Sequence, residues 1–126
     1  MEHKVSESMW DALVEALVLL GRAGEAAVGA GASDNAVMVT QRVHTVQGGL
    51  SLVDPGLAAA AGLLGDEQIV APSLRECRHW LVEAARVLDD AVRSETSSLL
   101  PVGLLTVRAD LADTIRLVEG LKVSAP

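Results

Sequence analysis

The apolar residues of this chain recur at alternating steps of three and four, and that spacing constrains the fold more than any other feature. Ala36, Val39, Val43, Val46, Leu50 and Val53 form one such set; Leu74, Cys77, Leu81, Ala84, Leu88 and Ala91 form another. A third is Leu104, Val107, Leu111, Ile115 and Val118, and Trp10, Leu13, Val14, Leu17, Leu20, Gly24 and Ala27 come first in the chain. At about 3.6 residues per turn, each set is one stripe along one face of an α-helix. Valine, the commonest β-former here, sits at these helical positions and does not alternate. The expected fold is all-α: an antiparallel four-helix bundle with an additional short or C-terminal helix. Residues 1–126 make a single domain, with its core from about 6 to 120.

Punctuation residues place the helix ends. Ser6 or Ser8 caps the first helix, and Gly29-Ala30-Gly31-Ala32 ends it, because each helical glycine costs about 1 kcal/mol relative to alanine. Ser33-Asp34-Asn35 offers caps for the second. Asp54-Pro55-Gly56 marks a boundary, with Asp54 as cap and Pro55 at the first helical position. A short Ala-rich helix follows from Leu57 to about Leu64, closed by Gly65, and Gly65 to Pro72 is a loop. Ser73-Leu74-Arg75-Glu76 has the form of a capping box. Ser94 to Pro101 connects to a last helix that Pro101 opens and Gly120 closes; Ser124-Ala125-Pro126 is expected to fray.

Composition narrows the function classes. Half of the 126 residues are apolar, yet Phe and Tyr are missing and Trp10 and Trp80 are the only large rings, so the core must be built from Leu, Val and Ala. Ten Lys+Arg against seventeen Asp+Glu give a formal charge of −7 with no basic cluster, and no nucleic-acid partner is expected. The lone Cys77 has no disulfide partner within the chain and fits a reducing compartment. Met1-Glu2-His3-Lys4 lacks the regions of a signal peptide. No apolar run approaches the ~20 residues that cross a bilayer. The expectation is a cytoplasmic protein without membrane contact.

Val43-His44-Thr45-Val46-Gln47-Gly48-Gly49-Leu50 is the stretch that carries chemistry. His44 points about 130° away from the centre of the buried stripe, and Gly48 lies one turn further along the same outer face. An imidazole in neutral water is largely unprotonated and nucleophilic. A group that receives a phosphoryl from another protein must stand clear of its helix, with room for the donor. Gly48 gives that clearance. The paired glycines cost the helix roughly 2 kcal/mol against alanine, a loss that a need for close approach would explain. The plain alternative is that Gly48-Gly49 terminates the helix and His44 is an ordinary surface residue.

His44-Thr45-Val46-Gln47-Gly48-Gly49 resembles the phosphoacceptor motif of histidine-containing phosphotransfer domains, including the N-terminal domain of chemotaxis-type histidine kinases. That pattern reads His, any residue, an aliphatic, Lys, Gly, then Gly, Ser or Ala. The chain departs from it at Gln47. The motif covers six residues; a looser architectural likeness extends from about Ser6 to Arg93. The resemblance implies histidine phosphotransfer in a two-component phosphorelay, with His44 as phosphoacceptor and Gln47 in place of the usual lysine. On and beside the same outward face, Gln41, Gly48, Gly49 and Ser51 are the candidate partner-binding residues, Ser51 and the neighbouring Thr40 being the weaker ones. The partner would be a response-regulator receiver domain or a hybrid histidine kinase. The chain itself would need no cofactor, Mg²⁺ being expected on the receiver, and would be a phosphotransfer intermediate, not an autonomous kinase. Lacking the lysine charge, transfer would slow, or borrow charge from Arg42 or from the partner. The alternative is a phosphorylation-incompetent adaptor that binds receiver or signalling proteins through the same face.

Elsewhere the signals are bland. Glu76 and His79 have the Glu-x-x-His spacing of di-iron bundles, but only once, and no metal site is expected. Cys77 falls on a buried stripe and reads as a small core residue. Trp10 and Trp80 read as core or rim packing.

Overall fold

The structure is a computed structural model describing residues 6–31, 33–54, 56–64, 72–95 and 103–124. The described residues form five α-helices: α1 (Glu7–Gly29), α2 (Asp34–Ser51), α3 (Leu57–Leu64), α4 (Leu74–Ser94) and α5 (Leu104–Ser124). No strand occurs among them. None of the described helices is long and apolar enough to cross a membrane.

Serines start three of the helices as their sequence positions suggest. The Ser6 hydroxyl accepts from the N–H of Met9 at 3.2 Å, Ser33 from Ala36 at 3.2 Å, and Ser73 from Glu76 at 2.9 Å. Each satisfies an N–H that the first helical turn leaves without an intrahelical partner. Asp54 precedes α3; its carboxylate accepts from Gly56 N–H at 3.1 Å and its carbonyl from Leu57 N–H at 3.1 Å. Glycine fits closely there: a Cβ on Gly56 would lie 3.0 Å from the Trp10 ring, which would have to shift.

Two helix ends differ from the sequence expectation. α5 continues through Gly120 to Ser124, and Leu121, half-buried against the core, favours that extra turn. α5 begins at Leu104, directly after Gly103, whose φ of +89° suits glycine. The expected roles of Pro55, Gly65, the 65–71 part of the loop, Pro101, Ala125 and Pro126 lie outside the described residues.

α1 packs against α2, α3 and α4, while α5 packs against α2 and α4. Flanked on three sides, α1 buries far more than one stripe: Met9, Ala16, Leu19, Ala23 and Ala26 join Leu13, Val14, Leu17, Leu20, Gly24 and Ala27, whereas Trp10 is only half-buried. α2 buries Ala36, Val39, Val43, Val46 and Leu50, and α4 buries Cys77, Leu81, Ala84 and Leu88, both at the expected register. On α5 the fully buried set is Leu104, Val107, Leu111, Thr114 and Val118, so Thr114 takes the innermost place expected of Ile115. Its hydroxyl donates to the Asp110 carbonyl at 2.8 Å, which removes the penalty of burying it.

Contacts between helix ends fix the neighbours. Ser6 donates to Glu95 at 2.9 Å, bringing the start of α1 to the end of α4. Gly29 lies so close to Pro72 that a Cβ would come within 2.5 Å of the ring. Arg78 binds Glu119 at 2.6 Å and Arg108 binds Asp89 at 2.7 Å, tying α4 to α5 near both ends.

Candidate functional site

α2 runs unbroken through Gly48 and Gly49 to Ser51, so the two glycines do not terminate it. The N–H of Leu52 closes the helix on the carbonyls of Gly48 and Gly49, at 3.2 and 3.3 Å. Because the helical phase holds, Val43, Val46 and Leu50 are buried and His44 and Gly48 are exposed, with Gln47 half-buried between the two faces.

His44 and Gln47 lie along the seam between α2 and α1, opposite two glycines of α1. A Cβ on Gly24 would sit 3.8 Å from His44 Nε2 and 3.6 Å from Gln47 Oε1; one on Gly21 would sit 3.8 Å from Gln47 Nε2. Bare α1 backbone therefore faces both polar side chains. A Cβ on Gly48 would have nothing within 4 Å. The outer side of His44 is open too.

Two open grooves meet here. The larger, about 450 Å³, is walled by α1, α2 and the small residues of α3, and includes His44, Gln47, Gly48 and Ser51 together with Arg22 and Glu25. The smaller, about 340 Å³, runs along Gly21, Gly24 and Val28 and shares His44, Gln47 and Glu25. Of the candidate residues, His44, Gln47, Gly48 and Ser51 are thus brought together on one groove. Ser51's hydroxyl donates to the Gly48 carbonyl at 3.0 Å. Gln41 is exposed one turn before His44 and lines neither groove. Gly49 is placed against α5, where a Cβ would press within 3.3 Å of Val107 Cγ2. Thr40 donates to the Ala36 carbonyl at 2.8 Å and lines neither groove.

Sequence reasoning missed Arg22, Glu25 and Gly21, and that the buried Gly24 faces His44 and Gln47 across the seam. A signal existed: Gly21 and Gly24 are two glycines a turn apart inside a helix, as costly as the pair in α2. Arg22 is also the only basic residue of α1. Its guanidinium stacks over the Trp80 ring, 4.9 Å from the centroid.

The remaining sequence candidates sit apart from this groove. His79 makes an edge contact with Trp80 at 4.7 Å, and Cys77 is fully buried, its thiol pushed up to about 12 by loss of solvation. Among the described residues no three His, Cys, Asp or Glu side chains gather into a metal-binding group. No protein-family model, curated protein or solved structure matches the chain.

Proposed function

We propose that the protein is a histidine phosphotransfer domain of a two-component phosphorelay, in which His44 accepts a phosphoryl group from one receiver-domain aspartate and passes it to another. The observation that carries this reading is an exposed histidine in mid-helix whose surroundings on both sides are bare backbone: Gly48 along α2 and Gly24 across on α1. No other chemistry in the chain needs that combination. The four long helices support the same reading as an antiparallel four-helix bundle, with α3 as the extra short helix. The ion pairs and end-to-end contacts of α1 with α4 and of α4 with α5 agree with that topology.

The step is an in-line displacement. A lone pair of the neutral imidazole attacks phosphorus as the P–O bond to the donor aspartate breaks. The electron pair leaves with the carboxylate, and the ring's remaining N–H proton is shared with or released to water. Positioning and charge neutralisation are the main contributions to such a reaction. The chain contributes the nucleophile, the Gln47 amide as hydrogen-bond donor and the clearance at Gly48; the receiver contributes the aspartate and its Mg²⁺. The protein would act as a phosphotransfer intermediate in the cytoplasm.

Gln47 favours a second reading, a phosphorylation-incompetent adaptor that occupies receivers through the same face. The Gln47 amide can donate a hydrogen bond to phosphate, but it brings no positive charge to pair with it. Incubation with phosphorylated receiver domains separates the two. Phosphotransfer predicts an acid-labile, base-stable phosphate on the wild type that disappears in His44→Gln. Receiver binding without any label would establish the adaptor, and unaltered labelling of His44→Gln would refute His44 as acceptor.

A further inference from the structure

Among the described residues, the groove at His44 is lined by two charged side chains, Arg22 and Glu25, both from α1. We propose that Arg22 is the cation that meets the phosphoryl group at His44, supplying from α1 the charge that Gln47 does not supply from α2. This rests on the reading of His44 as phosphoacceptor.

The arginines of the described helices divide into two sets. Arg78, Arg86, Arg93, Arg108 and Arg116 are each held by a carboxylate, at 2.6 to 3.6 Å. Arg22, Arg42 and Arg75 have no such ion pair among the described residues. Arg42 is two residues from His44 in sequence, but at about 100° per residue it lies on a different face of α2. It lines neither groove at His44. Arg75 lies at the start of α4, in a cleft with Ser33 and Val118. Only Arg22 borders the His44 groove.

Its present contact suits a cation held in reserve. Stacking of a guanidinium on a partly exposed indole is weaker than a charge-assisted bond to phosphate. A phosphoryl group on His44 would therefore draw the guanidinium from Trp80 towards the groove, where its planar fork matches two phosphate oxygens. Glu25 is on the same wall and opposes the incoming negative charge. Arg22 touches the transferred group in this scheme and Glu25 does not.

The test uses the full chain and a small donor, phosphoramidate, so that no receiver surface intervenes. In that reaction the imidazole nitrogen attacks phosphorus, the P–N bond of the donor breaks, and ammonia leaves after taking up a proton. Arg22→Gln should slow labelling of His44 by roughly tenfold or more, the range expected for a lost hydrogen bond to a charged group. Arg22→Lys should retain most of the rate and Glu25→Gln should raise it. Adding Gln47→Lys to Arg22→Gln should restore labelling, because the missing charge returns from the opposite wall. In a Trp10→Phe background, Trp80 emission should change on phosphorylation, and that change should vanish with Arg22→Gln. A labelled parent with an unchanged Arg22→Gln rate overturns the role of Arg22 alone. So does a slowed rate that Gln47→Lys fails to recover, which would make Arg22 only a packing partner of Trp80. A parent that takes no label on His44 from phosphoramidate or from receivers overturns both this proposal and the function it rests on.

Discussion

A methyl group at Gly48 would meet nothing, whereas one at Gly49 would press within 3.3 Å of Val107 on α5. Two neighbouring glycines of identical helical cost thus answer to different demands, one to open space and one to packing. Gly48→Ala should raise stability by about 1 kcal/mol, since alanine is the better helix former and no contact is strained. If the outer side of His44 must admit a donor, the same change should slow phosphotransfer; denaturant melts and labelling rates on one preparation check both. Gly49→Ala should gain less, because Val107 must give way by a few tenths of an ångström. Cys77 is governed by burial alone. Desolvation holds its thiol at about 12 against 9.0 for the free group, so the folded state keeps a proton that the unfolded state loses between those values. Stability should therefore be insensitive to this group below pH 9 and fall as pH rises from about 9 to about 12. The slope of stability against pH over that window should be shallower in Cys77→Ala, whatever the variant's absolute stability.

At the scale of the element, α2 departs from the usual compromise of a surface helix. It has one buried stripe, yet it tolerates two interior glycines, and its phase is held by Val43, Val46 and Leu50 packing on either side of them. Tertiary burial outweighs poor intrinsic propensity there. α1 lies at the other extreme, buried on most of its circumference because three helices lean on it. α4, whose buried stripe packs against α1 and α5, also starts on a well-made cap. The Ser73 hydroxyl makes a short bond to Glu76 N–H at 2.9 Å, and the first core residue, Cys77, follows one turn later. Ser73→Ala should lower unfolding free energy by about 1 kcal/mol, measured by urea denaturation. Ser73→Asp should not, since aspartate caps as well and its charge is favoured at a helix N-terminus.

For the molecule as a whole, a core with no Phe or Tyr must gain its stability from close approach of Leu, Val and Ala, and the close contacts are visible. Gly29 meets Pro72, Gly56 meets Trp10, and Gly49 meets Val107. The ion pairs between α4 and α5, Arg78–Glu119 and Arg108–Asp89, are a third to a half exposed and add at most about 1 kcal/mol each. Their value is in matching the two helices end to end. The groove at His44 is a consequence of the same economy of side chains: where α1 presents Gly21 and Gly24 to α2, the two helices leave a recess in place of a packed seam.

The 3/4 spacing of apolar residues determined the all-helical class, the places of the helices and the outward face of His44, because helical periodicity is a local property. The caps at Ser6, Ser33 and Ser73 were legible for the same reason: each hydroxyl serves an N–H three residues away. What lies across from a residue is not local. That Gly49 serves α5 and Gly48 serves open space, that Thr114 is buried deeper than Ile115, and that α5 runs past Gly120 follow from which helices become neighbours. So does the charge at the site. Arg22 is twenty-two residues from His44 in the chain, and only the packing of α1 against α2 brings it to the same groove.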